Sequence, residues 1–439
     1  MEGSLADMCH LFVTVFLSYL ATFMVIPAIT DVTMSALCPG QSHCSLAIYL
    51  SGFQQAVTGL GSVVMMPLIG NLSDKYGRKA MLTLPMTISI VPLVILAYRR
   101  TTNFFYAYYL FKTITAMVTN GSLNCLALAY VADVVSDGQR ASAFGILSGV
   151  VSAAYVFGTL ATRCLTTGLA FQIAASVSIV AAVYMRIFLK ESVENLTQPI
   201  LKEAPDDIEG HSTLLAKATE FKAIPSPRDL FCLLKISPTF SQAAVIAFFN
   251  SLAEGGVEVS LLYFLKARFN FNKDQYAVLM LIGGVTAMVM QLLFVPLLTP
   301  FIAEERLLSV ALFGGFTYFL LYSIAWSKWV PYANALLSAM IVIVPPCLGS
   351  IASKQIGPNE QGKAQGCIQG INSLATVISP IIFSPLTVLF FSEEAPFNFP
   401  GFSILCIGFA MMISFIQSVF IRAAAPIPNH KISFESEEG

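Results

Sequence analysis

GNLSDKYGRKAML, residues 70–82, joins two long apolar stretches and decides how the rest of the chain is read. It has the form of a tight turn between helices. Gly70 permits close helix approach and Gly77 permits a positive backbone dihedral. Asp74, Arg78 and Lys79 keep charge at the edge of an apolar layer. The flanking stretches, 46–69 and 80–98, each meet the roughly 20 apolar residues that a helix needs to cross the hydrocarbon layer.

Composition carries this outward to the whole chain. Of 439 residues, 56% are hydrophobic and 11% charged, against roughly 25% charged in an average soluble protein. Mean hydropathy is +0.74. An integral membrane protein is the reading, with the lipid bilayer as its surroundings. The 24 Lys plus Arg against 25 Asp plus Glu leave a net charge of −1, so no basic field is available for nucleic acid. Nine cysteines without a C-x-x-C pair and four scattered histidines give no support to a metal site or a redox dithiol. No metal or cofactor is expected.

Twelve stretches can span: 8–30, 46–69, 80–98, 104–132, 142–162, 168–189, 240–265, 275–299, 306–325, 331–353, 364–391 and 401–422. They predict an all-α membrane protein built as an N-terminal six-helix bundle (1–189) and a C-terminal six-helix bundle (240–422). Between them lies a linker (190–239) holding Pro199, Pro205, Pro225 and Pro227, and a polar tail (423–439) follows. No basic residue precedes the first stretch and no cleavage pattern follows it, so it reads as a retained helix. Lys75, Arg78, Lys79, Arg140, Arg306, Lys354 and Lys363 share one side with the linker and tail, and outnumber the opposite side once those are counted. By the positive-inside rule that side is cytoplasmic, with both termini on it. Cys38 and Cys44, in the first external loop, are candidates for a disulfide.

An internal repeat supports the six-plus-six division. SDGQRASAFG (136–145) aligns with PNEQGKAQGC (358–367), setting Asp137 against Glu360, Arg140 against Lys363 and Ala141 against Ala364. MPLIG (66–70) likewise matches VPLLT (295–299). Two parallel repeats with a central cavity are implied.

The turn at 70–79 fits G-x-L-x-D-x-x-G-R-K without mismatch, and here the chain resembles the major facilitator superfamily of secondary transporters. ALAYVADVVSDGQRASAFG (127–145) is similar to the branch of hippocampus-abundant-transcript-like proteins and bacterial tetracycline efflux carriers. LSGFQQAVTGLG and MVIPAITD suggest a plant-type member. The resemblance implies an alternating-access carrier in which Asp74 faces the start of helix 11 near Lys363 and Ala364, Arg78 pairs with Asp133, and Arg140 belongs to the same gate. Two departures stand out: Ile114 occupies the usual position of an arginine in helix 4, and Gly158 is followed by Thr159 where antiporters carry proline.

Intramembrane charge is costly and usually functional. Glu254 and Glu258, four apart in helix 7, share a face. They suit proton coupling or substrate contact; alternatively they pair structurally with Lys112, or lie at a helix break near Gly255 and Gly256. Lys112 is a counter-ion for Glu258, an anchor for an anionic substrate, or a snorkelling side chain. Asn120 and Asn124 are read as sharing a face of helix 4. Gln54, Gln55, Asn250, Gln291 and Asn372 complete a neutral polar set that serves either as interhelical glue or as ligand contacts. FFYAYY (104–109) reads as an interfacial belt.

A monomeric secondary transporter of a small organic solute, with protons as a candidate coupling ion, is the leading function. The alternative is a non-transporting sensor on the same fold. No catalytic constellation supports an enzyme, and no G-x-x-x-x-G-K-[ST] loop supports primary active transport. Plasma membrane and vacuolar endomembrane both remain open as destinations.

Overall fold

The computed structural model describes residues 2–37, 45–192, 237–271, 273–357, 360–391 and 395–421. Cys38 and Cys44, the linker beyond Ser192, and the tail 423–439 lie outside the described residues.

The first half comprises α1 (Glu2–Leu37), α2 (Ser45–Tyr76), α3 (Arg78–Tyr98), α4 (Thr102–Thr119), α5 (Ser122–Val134), α6 (Arg140–Cys164) and α7 (Thr167–Phe188). The second begins with α8 (Pro238–Phe269) and α9 (Lys273–Val289), which continues through a π-helical turn (Met290–Phe294) into α10 (Val295–Leu298). Then come α11 (Glu304–Ser323), α12 (Val330–Asn334), α13 (Ser338–Ile341), α14 (Val344–Lys354), α15 (Gln361–Phe391) and α16 (Phe402–Val419). Among the described residues eleven helical stretches are long and apolar enough to cross a membrane. The bent α8, whose segments Pro238–Glu258 and Tyr263–Phe269 meet at 48°, makes twelve.

Each half builds its own core. One cluster of buried side chains draws on residues 240–421 and two others on residues 11–189. Outward, large apolar side chains such as Val64, Ile187, Leu293 and Val388 stay exposed, the surface expected of helices that face lipid. The aromatic stretch 104–109 is only partly a belt: Phe105 and Tyr108 are buried against α1, α3 and α7, while Tyr106 faces out.

The fourth and tenth spans, which occupy matching places in the two halves, are broken. Gly121 adopts φ +84°, a left-handed conformation that ends α4 and starts α5. Asn120 therefore caps α4 while Asn124 sits in the first turn of α5, so the expected shared helical face does not exist. The tenth span runs as α12, α13 and α14, with Pro331, Pro345 and Pro346 at the starts of helical segments where a missing N–H is harmless. Side chains tie the broken tenth span to α11: Asn334 Nδ2 donates to Tyr318 O at 2.9 Å and Tyr322 OH to Pro331 O at 3.3 Å. Irregular backbone at membrane depth is tolerated in such surroundings.

The repeat is real in the fold but its register differs from the sequence alignment by two residues. Arg140 Nε and Nη2 donate to Ala132 O, eight residues back, at the end of α5. At the end of α14 the equivalent bond comes from Gln361 Nε2 to Ser353 O, again eight residues back. Arg140 thus matches Gln361, not Lys363: what the two positions share is the capping of carbonyls at a helix end, which needs a donor and not a charge.

Candidate functional site: a charged cluster and a carboxylate-lined cavity

The turn at 70–79 forms a buried ionic cluster. Gly77, at φ +92°, separates α2 from α3 and puts Arg78 at the first position of α3, where only 1% of it is exposed. Its guanidinium bridges two acids: Nη2 lies 2.5 Å from Asp74 Oδ1, and Nε donates to Asp133 Oδ2 at 2.8 Å. Nη1 donates to Ser73 Oγ. Asp74 reaches across to the other half, accepting from Gly362 N at 2.9 Å and Lys363 N at 2.8 Å. These amides belong to the first turn of α15, where unsatisfied N–H groups and the helix dipole favour an anion. Lys79 is only half-buried, and Arg140 sits beside the cluster with an ion pair to Asp137 at 2.7 Å.

Gly70 serves the same crossing. A Cβ there would overlap Gly362 O, and one on Gly366 would lie 2.7 Å from Met66 O. The backbones of α2 and α15 touch because these residues have no side chains.

Two partners of the cluster are invisible to local reading. Glu191, just past α7, accepts from Arg78 N at 2.5 Å and Lys79 N at 3.1 Å, capping α3 from more than a hundred residues away. Ser192 Oγ donates to Asp133 Oδ2 at 3.1 Å. Glu191→Ala should cost about 0.5–2 kcal/mol, the usual worth of a helix N-cap; an unchanged melting temperature in detergent would refute that role. In the second half the acid and the base exchange places: Glu304 opens α11 and pairs at 2.8 Å with Lys354 at the end of α14. Acids at the start of span 9 and a lysine at the end of span 10 were the available signal.

Between the halves lies a cavity of about 620 Å³. Glu254 and Glu258 of α8 line it, and both are exposed to it. Glu254 is about 24 Å along the axis from Pro238 at 1.5 Å per residue. Asn250 Nδ2 donates to Glu254 Oε1 at 3.0 Å. Gly255 and Gly256 do not break the helix: added Cβ atoms would lie 2.9 Å from Ser379 and 2.7 Å from the Phe383 ring, so the pair lets α15 approach α8, and the bend comes later. Toward the cluster end the cavity has a floor. Gln291, in the π-helical turn, accepts from Ser152 Oγ of α6 at 2.6 Å and donates to Val342 O at 3.0 Å. Below it Gly149 packs on Leu292 and Gly145 on Val295.

The remaining polar residues are placed elsewhere. Lys112, on α4, does not line the cavity and has no ion pair with either glutamate within 4 Å; its helix packs on α2, and depth in the membrane does not set the direction in which a side chain faces. Gln54 donates to Thr113 at 3.1 Å, tying α2 to α4. Gln55, Asn120, Asn124 and Asn372 are absent from the cavity wall, and Asn372 Oδ1 is buried without a partner.

Twelve spans in two pseudo-symmetric halves, closed on each other at one end and enclosing a carboxylate-lined cavity, define a multi-pass membrane carrier. The family model for the Major Facilitator Superfamily matches residues 11–380, and the chain belongs to that family. Hippocampus abundant transcript 1 protein of Mus musculus is 23% identical over 348 residues, which are 78% of this chain and 67% of the relative. Tetracycline resistance protein, class E, of Escherichia coli is 24% identical over 338 residues, 76% of this chain and 77% of the relative. Among solved structures, the human organic anion transporter MFSD10 (TETRAN) superposes with a TM-score of 0.77 at 18% identity, over 94% of this chain and 99% of that one. The protein is a membrane transporter and not an enzyme.

Proposed function

We propose that the protein is a secondary active transporter that carries a small organic solute by alternating access, with protons exchanged at Glu254 and Glu258. The reading rests on one arrangement: a cavity walled by both halves, with a charged lock that joins the halves at the Asp74–Arg78–Asp133 cluster. A carrier that rocks about a central site needs such a releasable lock. The broken span ten lines the cavity through Ala335, Ser338 and Val342, a recurrent mark of transport sites. The cluster end, with the linker 190–239 and both termini, is assigned to the cytoplasm by the positive-inside rule. The conformation is then closed inward, and the two bundles, 1–189 and 240–422, are its moving parts in a monomer.

Proton exchange fits the surroundings of the two acids. The groups that face them are Tyr155 of α6, Tyr276 of α9, and Tyr318 and Tyr322 of α11. No lysine, arginine or histidine lines the cavity among the described residues. Without a fixed cation, the charge of a carboxylate there is balanced either by a proton or by the solute. One relative is named for tetracycline resistance, and one structural neighbour is titled an organic anion transporter.

Asp74→Asn tests the lock. Removing the charge from the α15 N-terminus should weaken the closed form by about 0.3–2 kcal/mol, roughly a two- to thirty-fold change in population. Uptake into proteoliposomes should fall while the melting curve moves little. Unchanged uptake at equal protein abundance would defeat the gating role.

A further inference from the structure

We infer that the solute is an organic cation with an aromatic or broad apolar body, a conclusion that rests on the carrier reading above and narrows it. The charge of the cavity wall is one-sided, with two carboxyl groups and no basic side chain among the described residues. An anionic solute would meet like charge there whenever either acid is ionised, with no basic side chain in the wall to offset it. The acids are also unspent. Each of the six ion pairs among the described residues excludes them, and Asn250 is the side chain that donates to Glu254.

Two further features match a cation. Aromatic faces come from both halves: Phe23 and Tyr155 meet edge to face at 5.2 Å and 89°, and Tyr318 and Tyr322 at 4.9 Å and 68°. Rings in such positions attract a desolvated cation through their quadrupoles. The volume, about 620 Å³, falls in the range of sites for drug-sized molecules, roughly 300–1,000 Å³.

The same wall is poorly suited to a sugar or to a bare metal ion. Three of its five hydroxyls donate elsewhere: Ser152 to Gln291, Ser338 to Ala335 O and Tyr322 to Pro331 O. A hard divalent ion takes about six to eight oxygen ligands in the case of calcium, whereas two carboxylates and aromatic rings stand here. A cation and protons then compete for Glu254 and Glu258, so binding the solute expels protons and acidification weakens its hold.

The test uses one ring system at three charges. The purified full-length protein is titrated with tryptamine, the neutral tryptophol and the anionic indole-3-propionate, each competing against the fluorescence of bound ethidium. Tryptamine should displace ethidium at concentrations at least about tenfold below the other two, the weight of one charge-assisted contact. Glu254→Gln and Glu258→Gln should each weaken tryptamine by a similar factor and leave tryptophol unaffected, and Glu254→Asp should recover part of the loss. The charge series on the unmodified protein stands even if a variant fails to fold. Equal or tighter binding of the anion, an unchanged affinity in both Gln variants, or no binding of either cation overturns the inference. Proteoliposome uptake from a mixed pool of solutes separates the two levels: accumulation of neutral or anionic solutes alone removes the cation and keeps the carrier, and no accumulation of any solute removes the carrier too.

Discussion

Arg78→Ala should cause the largest loss of stability of any single substitution in the protein. The guanidinium is 1% exposed and stands between Asp74 and Asp133, whose side chains are 8% and 5% exposed. Removing it leaves two buried carboxylates facing each other with no cation, and breaking a buried pair in this way costs about 3–5 kcal/mol. The expected result is a collapse of the monodisperse peak on size exclusion in detergent, or a melting temperature far below that of the parent. Arg78→Lys should recover little, because a point charge cannot reach Asp74, Asp133 and Ser73 together as the planar fork does. Combining Arg78→Gln with Asp133→Asn should be less damaging than the sum of the two single changes, since it removes the orphaned charge as well as its partner. Strict additivity would mean that the two groups do not act as a pair.

Gly362→Ala should act on conformation more than on folding. An added Cβ would overlap Gly70 O, Ser73 Oγ and the Arg78 guanidinium, and a backbone carbonyl cannot swing aside as a side chain does. Overpacking of this kind costs about 1–3 kcal/mol. Because the strain exists only while α2 and α15 are in contact, it is relieved by parting them, and about 1–3 kcal/mol corresponds to roughly a 5- to 150-fold shift between states. Maleimide labelling of a cysteine placed at the cluster end should rise, and uptake should fall, with the protein still monodisperse. Gly366→Ala, whose Cβ would lie 2.7 Å from Met66 O, should behave the same way. Labelling that stays at the parent level would show that the closed crossing tolerates the methyl group.

How far the sequence could be read differs sharply between the two sites. In the cluster, Asp74, Gly77 and Arg78 occupy adjacent turns, and their spacing alone marks a compact charged turn. Asp133 and the start of α15 entered only through the family resemblance, and Glu191 not at all, because a cap supplied from 113 residues away leaves no local pattern. In the cavity, the two glutamates were legible because charge is scarce in an apolar helix. Their aromatic neighbours were not: Tyr155, Tyr318 and Tyr322 lie in stretches that are apolar all round, where hydropathy does not distinguish the lipid side from the cavity side. Lys112 shows the same limit from the other direction, since counting residues gave its depth but not its facing. The Asn120–Asn124 pair failed for a different reason: Gly121 turns the backbone left-handed between them, and helical periodicity ends there.

By itself the sequence determined that the chain is all-helical and spans a membrane eleven or twelve times, and where the charged turn falls. Those properties add up residue by residue along the chain, through apolar length and the scarcity of charge. Only the tertiary structure decided which polar groups meet. The rotation of each helix about its axis, and the closeness with which glycines let backbones cross, separate Lys112 from Glu258, bring Asp74 to α15, join Gln291 to Ser152, and leave Glu254 and Glu258 facing a cavity with no fixed cation.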